Sequence, residues 1–178
     1  MTLPEKCIVD TNVPRTANLA IQPDPNSDVP GTCVQACIEA VEHVIKNRGL
    51  IIDSGDEIFN EYLQQLTLKG QPGVGDRFMK WVHDNRWSLP ETQRVTITKL
   101  DNDCSYTEFP EHEDLRDFDK SHRKFVAVAN AHKDKPPILQ ATDSKWWGWK
   151  DDLAKLGITV QFLCPHYVEG KYAEKMGT

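Results

Sequence analysis

Apolar runs and apolar stripes alternate along most of this chain. Cys7-Ile8-Val9-Asp10 is a short β-branched run that ends in a carboxylate, the pattern of a buried strand delivering an acid to a sheet edge. The stretch from Pro14 to Gly31, with Pro23, Pro25 and Pro30, reads as an exposed loop. Thr32 then stands where a helix cap is expected, ahead of an apolar stripe formed by Cys33, Ala36, Cys37, Ala40, Val41, Val44 and Ile45. Asn47-Arg48-Gly49 closes that helix, and Leu50-Ile51-Ile52-Asp53 is a second strand. Ser54 or Asp56 is placed to cap a helix bearing Ile58, Phe59, Tyr62, Leu63 and Leu66, with Glu61 at the margin of its stripe and Glu57 facing away.

Farther on, Phe78, Trp81 and Val82 mark another helix, and Val95-Thr96-Ile97-Thr98 a short strand. The acidic stretch from Glu108 to Asp119 reads as a solvent-facing loop, and Asp119 stands where it caps a buried helix running through Phe125-Val126-Ala127-Val128-Ala129. Pro137 to Asp143 repeats the first design: an apolar strand, a Thr, then an Asp. Ser144 to Leu156 is a helix that Trp146, Trp147 and Trp149 anchor on the sheet, ended by Gly157, and Ile158 to Leu163 is the last strand. Strands separated by helices predict an α/β fold, a three-layer α/β/α sandwich with a mostly parallel central sheet. Residues 1–164 read as one domain and 165–178 as a polar, loosely held C-terminal tail.

Composition narrows the class. A chain of 178 residues with 39% hydrophobic and 27% charged residues suits one globular domain with a sizeable core. No stretch approaches a membrane span, and no secretory pattern opens the chain, so a cytoplasmic protein is expected. Five cysteines without a CxxC pair read as reduced thiols, mostly small core residues, with no metal expected on them. The net charge of −6 argues against tight nucleic-acid binding through charge alone. It leaves room for an enzyme whose acidic cluster lowers the total while basic residues line a local groove.

The chemistry lies in the repeated strand design. Two parallel strands ending in Asp10 and Asp143 place two carboxylates side by side, and such a pair needs a cation or repels itself. That expectation points to a metal-dependent hydrolase of phosphodiesters.

These residues resemble the PIN-domain nucleases. The likeness runs through Ile8-Val9-Asp10-Thr11-Asn12-Val13, Glu61 before Tyr62, Asp119 to Ala129, and Ala141-Thr142-Asp143-Ser144 with Trp146, in order over nearly the whole chain. The resemblance implies an endonuclease, foremost an endoribonuclease acting on RNA or else on DNA, with Mg²⁺ or Mn²⁺ held by Asp10, Glu61, Asp119 and Asp143. Asn12 would support the site, and His122, Ser144 and Lys145 would stand beside it or touch substrate. Members of this kind often carry Asp where this chain has His122, and an acid where it has Lys145. Many are toxins, so an antitoxin or other protein partner, and a homo-oligomer, are within the resemblance. A catalytically weakened PIN-like module that binds RNA or a protein is the alternative. An unrelated phosphohydrolase with Asp10 as nucleophile is a third, disfavoured by Asn12 where such enzymes usually place a second Asp.

Overall fold

A computed structural model describes residues 2–100 and 105–177. Strand β1 (Ile8–Val9) is followed by helices α1 (Asn12–Asn18) and α2 (Gly31–Asn47), strand β2 (Ile52–Asp53), and helices α3 (Glu57–Gln65) and α4 (Val74–Asn85). Strand β3 (Arg94–Val95), helix α5 (Arg123–Ala131), strand β4 (Ile138–Gln140), helix α6 (Lys145–Lys155), strand β5 (Val160–Phe162) and helix α7 (Pro165–Met176) complete the chain. The fold is mixed α/β with short parallel strands.

Among the described residues β1 to β5 pair only in parallel, and a lone antiparallel bridge joins Lys99 to Tyr106. One ribbon has the order β1-β4-β5, with Ile8 opposite Ile138 and Ile138 opposite Val160; the other pairs β2 with β3. The ribbons meet at a single parallel bridge between Cys7 and Leu50, where the Cys7 amide donates to Gly49 and the Ile51 amide to Cys7. Across the molecule the strands therefore run 3-2-1-4-5, and the order reverses between β1 and β4. Residues from Cys7 to Val9 and from Ile138 to Leu139 are buried on both faces, as parallel strands covered by helices must be. Helices α1, α2 and α4 pack together, α5 lies on β1 and β4, and α6 on β5 and α7.

Several local expectations change. The segment after Asp10 is helix α1 rather than the start of a loop, because Val13, Pro14 and Ala17 have a core to face and Pro14 lies in the first turn. Its close crossing with α4 depends on Gly75, where a Cβ would fall 1.8 Å from the Pro14 carbonyl oxygen. Helix α2 begins at Gly31 with Pro30 before it, and Thr32 makes no capping bond. Neither Ser54 nor Asp56 caps α3 through its side chain; Asp53, at the end of β2, accepts from the amides of Gly55, Glu57 and Ile58 instead.

The weak third strand is shorter and earlier than its alternation suggested, Arg94–Val95, and pairs with β2. Residues 165–176 are helix α7, not a loose tail: Pro165 opens it and Val168 is fully buried. Cys33 and Cys164 are joined as a disulfide, a correction to the expectation of five reduced thiols, while Cys7 and Cys37 are free and buried. Cys104 lies outside the described residues. Trp146 is fully buried, as an anchor should be, and Gly157 (φ +74°) follows α6. No helix among the described residues is long and apolar enough to cross a membrane.

Candidate functional site

Ligands of open parallel sheets collect beyond the strand ends where strand order reverses. Here that point lies between β1 and β4; Asp10 directly follows β1, and Asp143 stands three residues beyond the end of β4. The Asp10 amide donates to Leu139, which fixes the two strand ends in register. Asn12 then ties them together: its side-chain amide and backbone N–H donate to Asp10 Oδ1, and its Oδ1 accepts from the amides of Ala141 and Thr142. The supporting role expected for Asn12 is this clasp.

Asp10, Asn12, Glu61, His122 and Asp143 line one open cleft of about 320 Å³, together with Thr11, Arg15 and Lys124. Asp119, Ser144 and Lys145 line a neighbouring cleft of about 470 Å³ with Trp149, Tyr172 and Lys175. Three of the four expected acids are thus brought into one cleft and Asp119 stands beside it. Among the described residues, these carboxylates do not close into a preformed cage; the one group of three or more His, Cys, Asp or Glu ligand atoms within 4.8 Å of one another is made of cysteines.

The acids instead have internal cations. His122 Nε2 lies 2.8 Å from Asp143 Oδ2, and its Nδ1 lies 3.5 Å from Asp10 Oδ2. Lys124 bonds Glu61, whose other oxygen accepts from the Thr11 hydroxyl at 2.6 Å. Lys145 reaches Asp119 at 2.5 Å, and Ser121 also donates to Asp119 through its hydroxyl and amide. His122 pairs with Asp143, and Lys145 takes the carboxylate of Asp119 that was expected to hold metal.

Charge states follow from these surroundings. Burial pushes the Asp10 carboxyl up to about 6, against the pull of His122 and the Asn12 amide, and Glu61 and Asp143 add repulsion. Burial works against the ionised Asp143, but the His122 hydrogen bond and the Lys145 amide overcome it and hold the carboxyl below its usual range. Asp119 is held well below that range: burial opposes, and the bonds from Lys145 and Ser121 prevail. For His122, burial favours the neutral ring, yet the Asp143 bond and the charges of Asp10, Asp143 and Asp119 raise its pKa overall.

The remaining surroundings are structural. Tyr62 donates its hydroxyl to the Val9 carbonyl at 2.6 Å, fastening α3 beneath β1 and bringing Glu61 to the cleft. Trp146 and Phe118 stack edgewise, and Trp146 lies 5.0 Å from the His122 ring, which dries that wall. Ser144 accepts from Lys175 of α7 at 2.7 Å.

Lys124, Thr11 and Arg15 were not foreseen. Thr11 is adjacent to Asp10 in sequence, but a hydroxyl there signals nothing until Glu61 is opposite it. Lys124 lies within the basic run before Phe125, and only the approach of α3 to α5 identifies Glu61 as its partner. Comparison of the chain with protein-family models, with curated proteins and with solved structures finds no match.

Proposed function

We propose that this chain is a metal-dependent endonuclease that hydrolyses phosphodiester bonds, with RNA as its foremost substrate. The reading includes the layered α/β/α architecture of PIN-like nucleases, with which the 3-2-1-4-5 parallel order is compatible. One observation carries it. Asp10 and Asp143 follow adjacent strands at the reversal point, Asp143 from the turn beyond β4, and Asp10 Oδ2 is buried with no hydrogen-bond partner among the described residues. His122 Nδ1 is equally unpartnered, 3.5 Å away.

These two atoms fit a divalent cation. Ligands about 2.1 Å from one ion lie about 3 to 3.5 Å from each other, and a carboxylate with an imidazole suits Mn²⁺ better than Mg²⁺. Asp10 and His122 would hold the ion, with Asp143 and Glu61 beside them. When bound, it would supply a water of lowered pKa and neutralise charge on the phosphate. Asn12 keeps Asp10 oriented with its free oxygen toward the cleft. Lys124 and Arg15 offer positive charge to a phosphate chain lying across the opening, and Trp146 and Phe118 exclude water from behind His122. Asp119 fits less well as a ligand, because Lys145 and Ser121 already occupy it.

The test is cleavage of labelled single-stranded RNA and DNA with Mn²⁺, Mg²⁺ or EDTA, comparing wild type with Asp10→Asn. Metal-dependent cutting that disappears in the variant supports the reading; no cutting together with no Mn²⁺ binding in calorimetry rejects it. The three built-in cations favour a second reading, a PIN-like module that binds RNA or a protein without cutting. RNA retention by a chain that neither binds Mn²⁺ nor cuts would select that version.

A further inference from the structure

Away from the acidic cleft, three sulfurs meet. Cys33 and Cys37 lie one turn apart on α2, Cys164 immediately precedes α7, and their sulfur atoms all lie within 4.8 Å of one another. Cys33 and Cys164 are bonded, which uses two of the three. Cys37 is fully enclosed, and burial pushes its thiol up to about 12 despite a bond with the Thr16 hydroxyl. A thiol so firmly protonated is a poor nucleophile, so thiol–disulfide exchange gives Cys37 no role here.

A thiophilic cation does use three sulfurs at one point. Sulfurs about 2.3 Å from a tetrahedral zinc ion stand about 3.7 Å apart; Cys37 already lies within 4.8 Å of both others, and Cys33 and Cys164 are free to separate to that spacing once their bond is reduced. Two of the three are also placed where thiolates are stabilised. Cys33 is the third residue of α2 and Cys164 lies just before the first turn of α7, each at the positive end of a helix dipole. Cys33 and Cys164 border an open cleft of about 230 Å³ with His166 and Tyr167, which provides an entry path and space for a fourth ligand.

We propose that the chain, with its thiols reduced, binds one zinc ion through Cys33, Cys37 and Cys164 in place of the Cys33–Cys164 bond. Zinc and disulfide are then two ways of making the same fastening between the start of α2 and the start of α7. Thiolate ligation displaces the thiol protons, including that of Cys37, so affinity rises with pH. None of these residues borders the acidic cleft, so this site and the proposed nuclease stand or fall separately.

The experiment uses the full chain carrying Cys104→Ser and Asp10→Asn, so that the acidic cleft does not compete for the ion, reduced with a phosphine, loaded with Zn²⁺ and desalted before elemental analysis. One zinc per chain is expected. In that background Cys37→Ser should weaken binding at least tenfold, whereas Cys7→Ser should leave it unchanged. Cys37→Ser can still form the Cys33–Cys164 disulfide, so its fold is checked separately by circular dichroism of the oxidised variant. Titration with Cd²⁺ gives a readout independent of any ligand variant: a thiolate-to-metal charge-transfer band whose intensity corresponds to three thiolates per ion. No zinc and no cadmium band in the reduced protein, or zinc held equally well by Cys37→Ser, overturns the proposal.

Discussion

Asp10 Oδ2 and His122 Nδ1 face each other across 3.5 Å, both buried, and neither has a hydrogen-bond partner among the described residues. Both residues line the acidic cleft, and the energetics of the pair are unusual. A buried carboxylate with one oxygen unpaired destabilises the fold whenever it is ionised.

The first prediction concerns pH. An acid whose pKa rises on folding, here from 3.8 to about 6, holds its proton more tightly in the folded state. Its contribution to stability is complete below about pH 4 and is lost as pH rises through 6. His122, also raised, acts in the same direction. Asp143 and Asp119, both lowered, act oppositely and lose their contributions on acidification. In EDTA, Asp10→Asn should therefore be more stable than wild type at pH 8, by up to about 3 kcal/mol, and nearly equal to it at pH 4. Thermal melts at the two pH values measure this; a variant less stable at pH 8 would show the Asp10 charge to be supportive.

A second prediction follows from Lys145. Its ion pair with Asp119 is partly exposed, so Lys145→Ala should change stability by less than about 1 kcal/mol. If the cleft takes Mn²⁺, freeing Asp119 should tighten Mn²⁺ binding severalfold in calorimetry. Unchanged affinity would remove Asp119 from the candidate ligands.

Asp53 provides the third. Its carboxylate satisfies three amides at the start of α3, the helix that carries Glu61. Asp53→Ala leaves those donors without a partner and should cost about 2 kcal/mol in urea unfolding. A loss below about 0.5 kcal/mol would mean that water replaces the carboxylate.

The fourth tests the crossing of α1 and α4. At Gly75 an added methyl meets the Pro14 backbone, which cannot swing aside as a flexible side chain would. Gly75→Ala should destabilise by roughly 3 kcal/mol, at the upper end for overpacking, whereas Gly31→Ala, with open space around it, should be close to neutral. Equal midpoints for the two variants would contradict the close approach.

The parts of this molecule legible from sequence are those written in local pattern. The β-branched run before Asp10 and its repeat before Asp143 announced the two strands and their parallel relation, and the α2 stripe announced its buried face. Trp146 could be read as an anchor because a large apolar group at a helix start has few other uses. What local pattern could not show was pairing across distance. Nothing near Asp53 indicates that it, rather than Ser54 or Asp56, caps α3, since that depends on how sharply the chain turns. Cys33 and Cys164 are 131 residues apart, and only the packing of α7 against the rest of the fold brings them together. The same holds for Lys124 with Glu61 and Lys145 with Asp119: the acids were visible as acids, but their partners were not.

Those partners also determine how a polyanion meets the protein. Asp10, Glu61, Asp119 and Asp143 are offset by His122, Lys124 and Lys145, which lie against them. Bare carboxylates would repel a phosphate chain over roughly a Debye length, about 8 Å at physiological ionic strength. Here three of the four charges are matched at their source, so a polyanion approaching this face should meet a much weaker and less salt-sensitive local repulsion than four bare carboxylates would give, although the chain as a whole carries a net charge of −6.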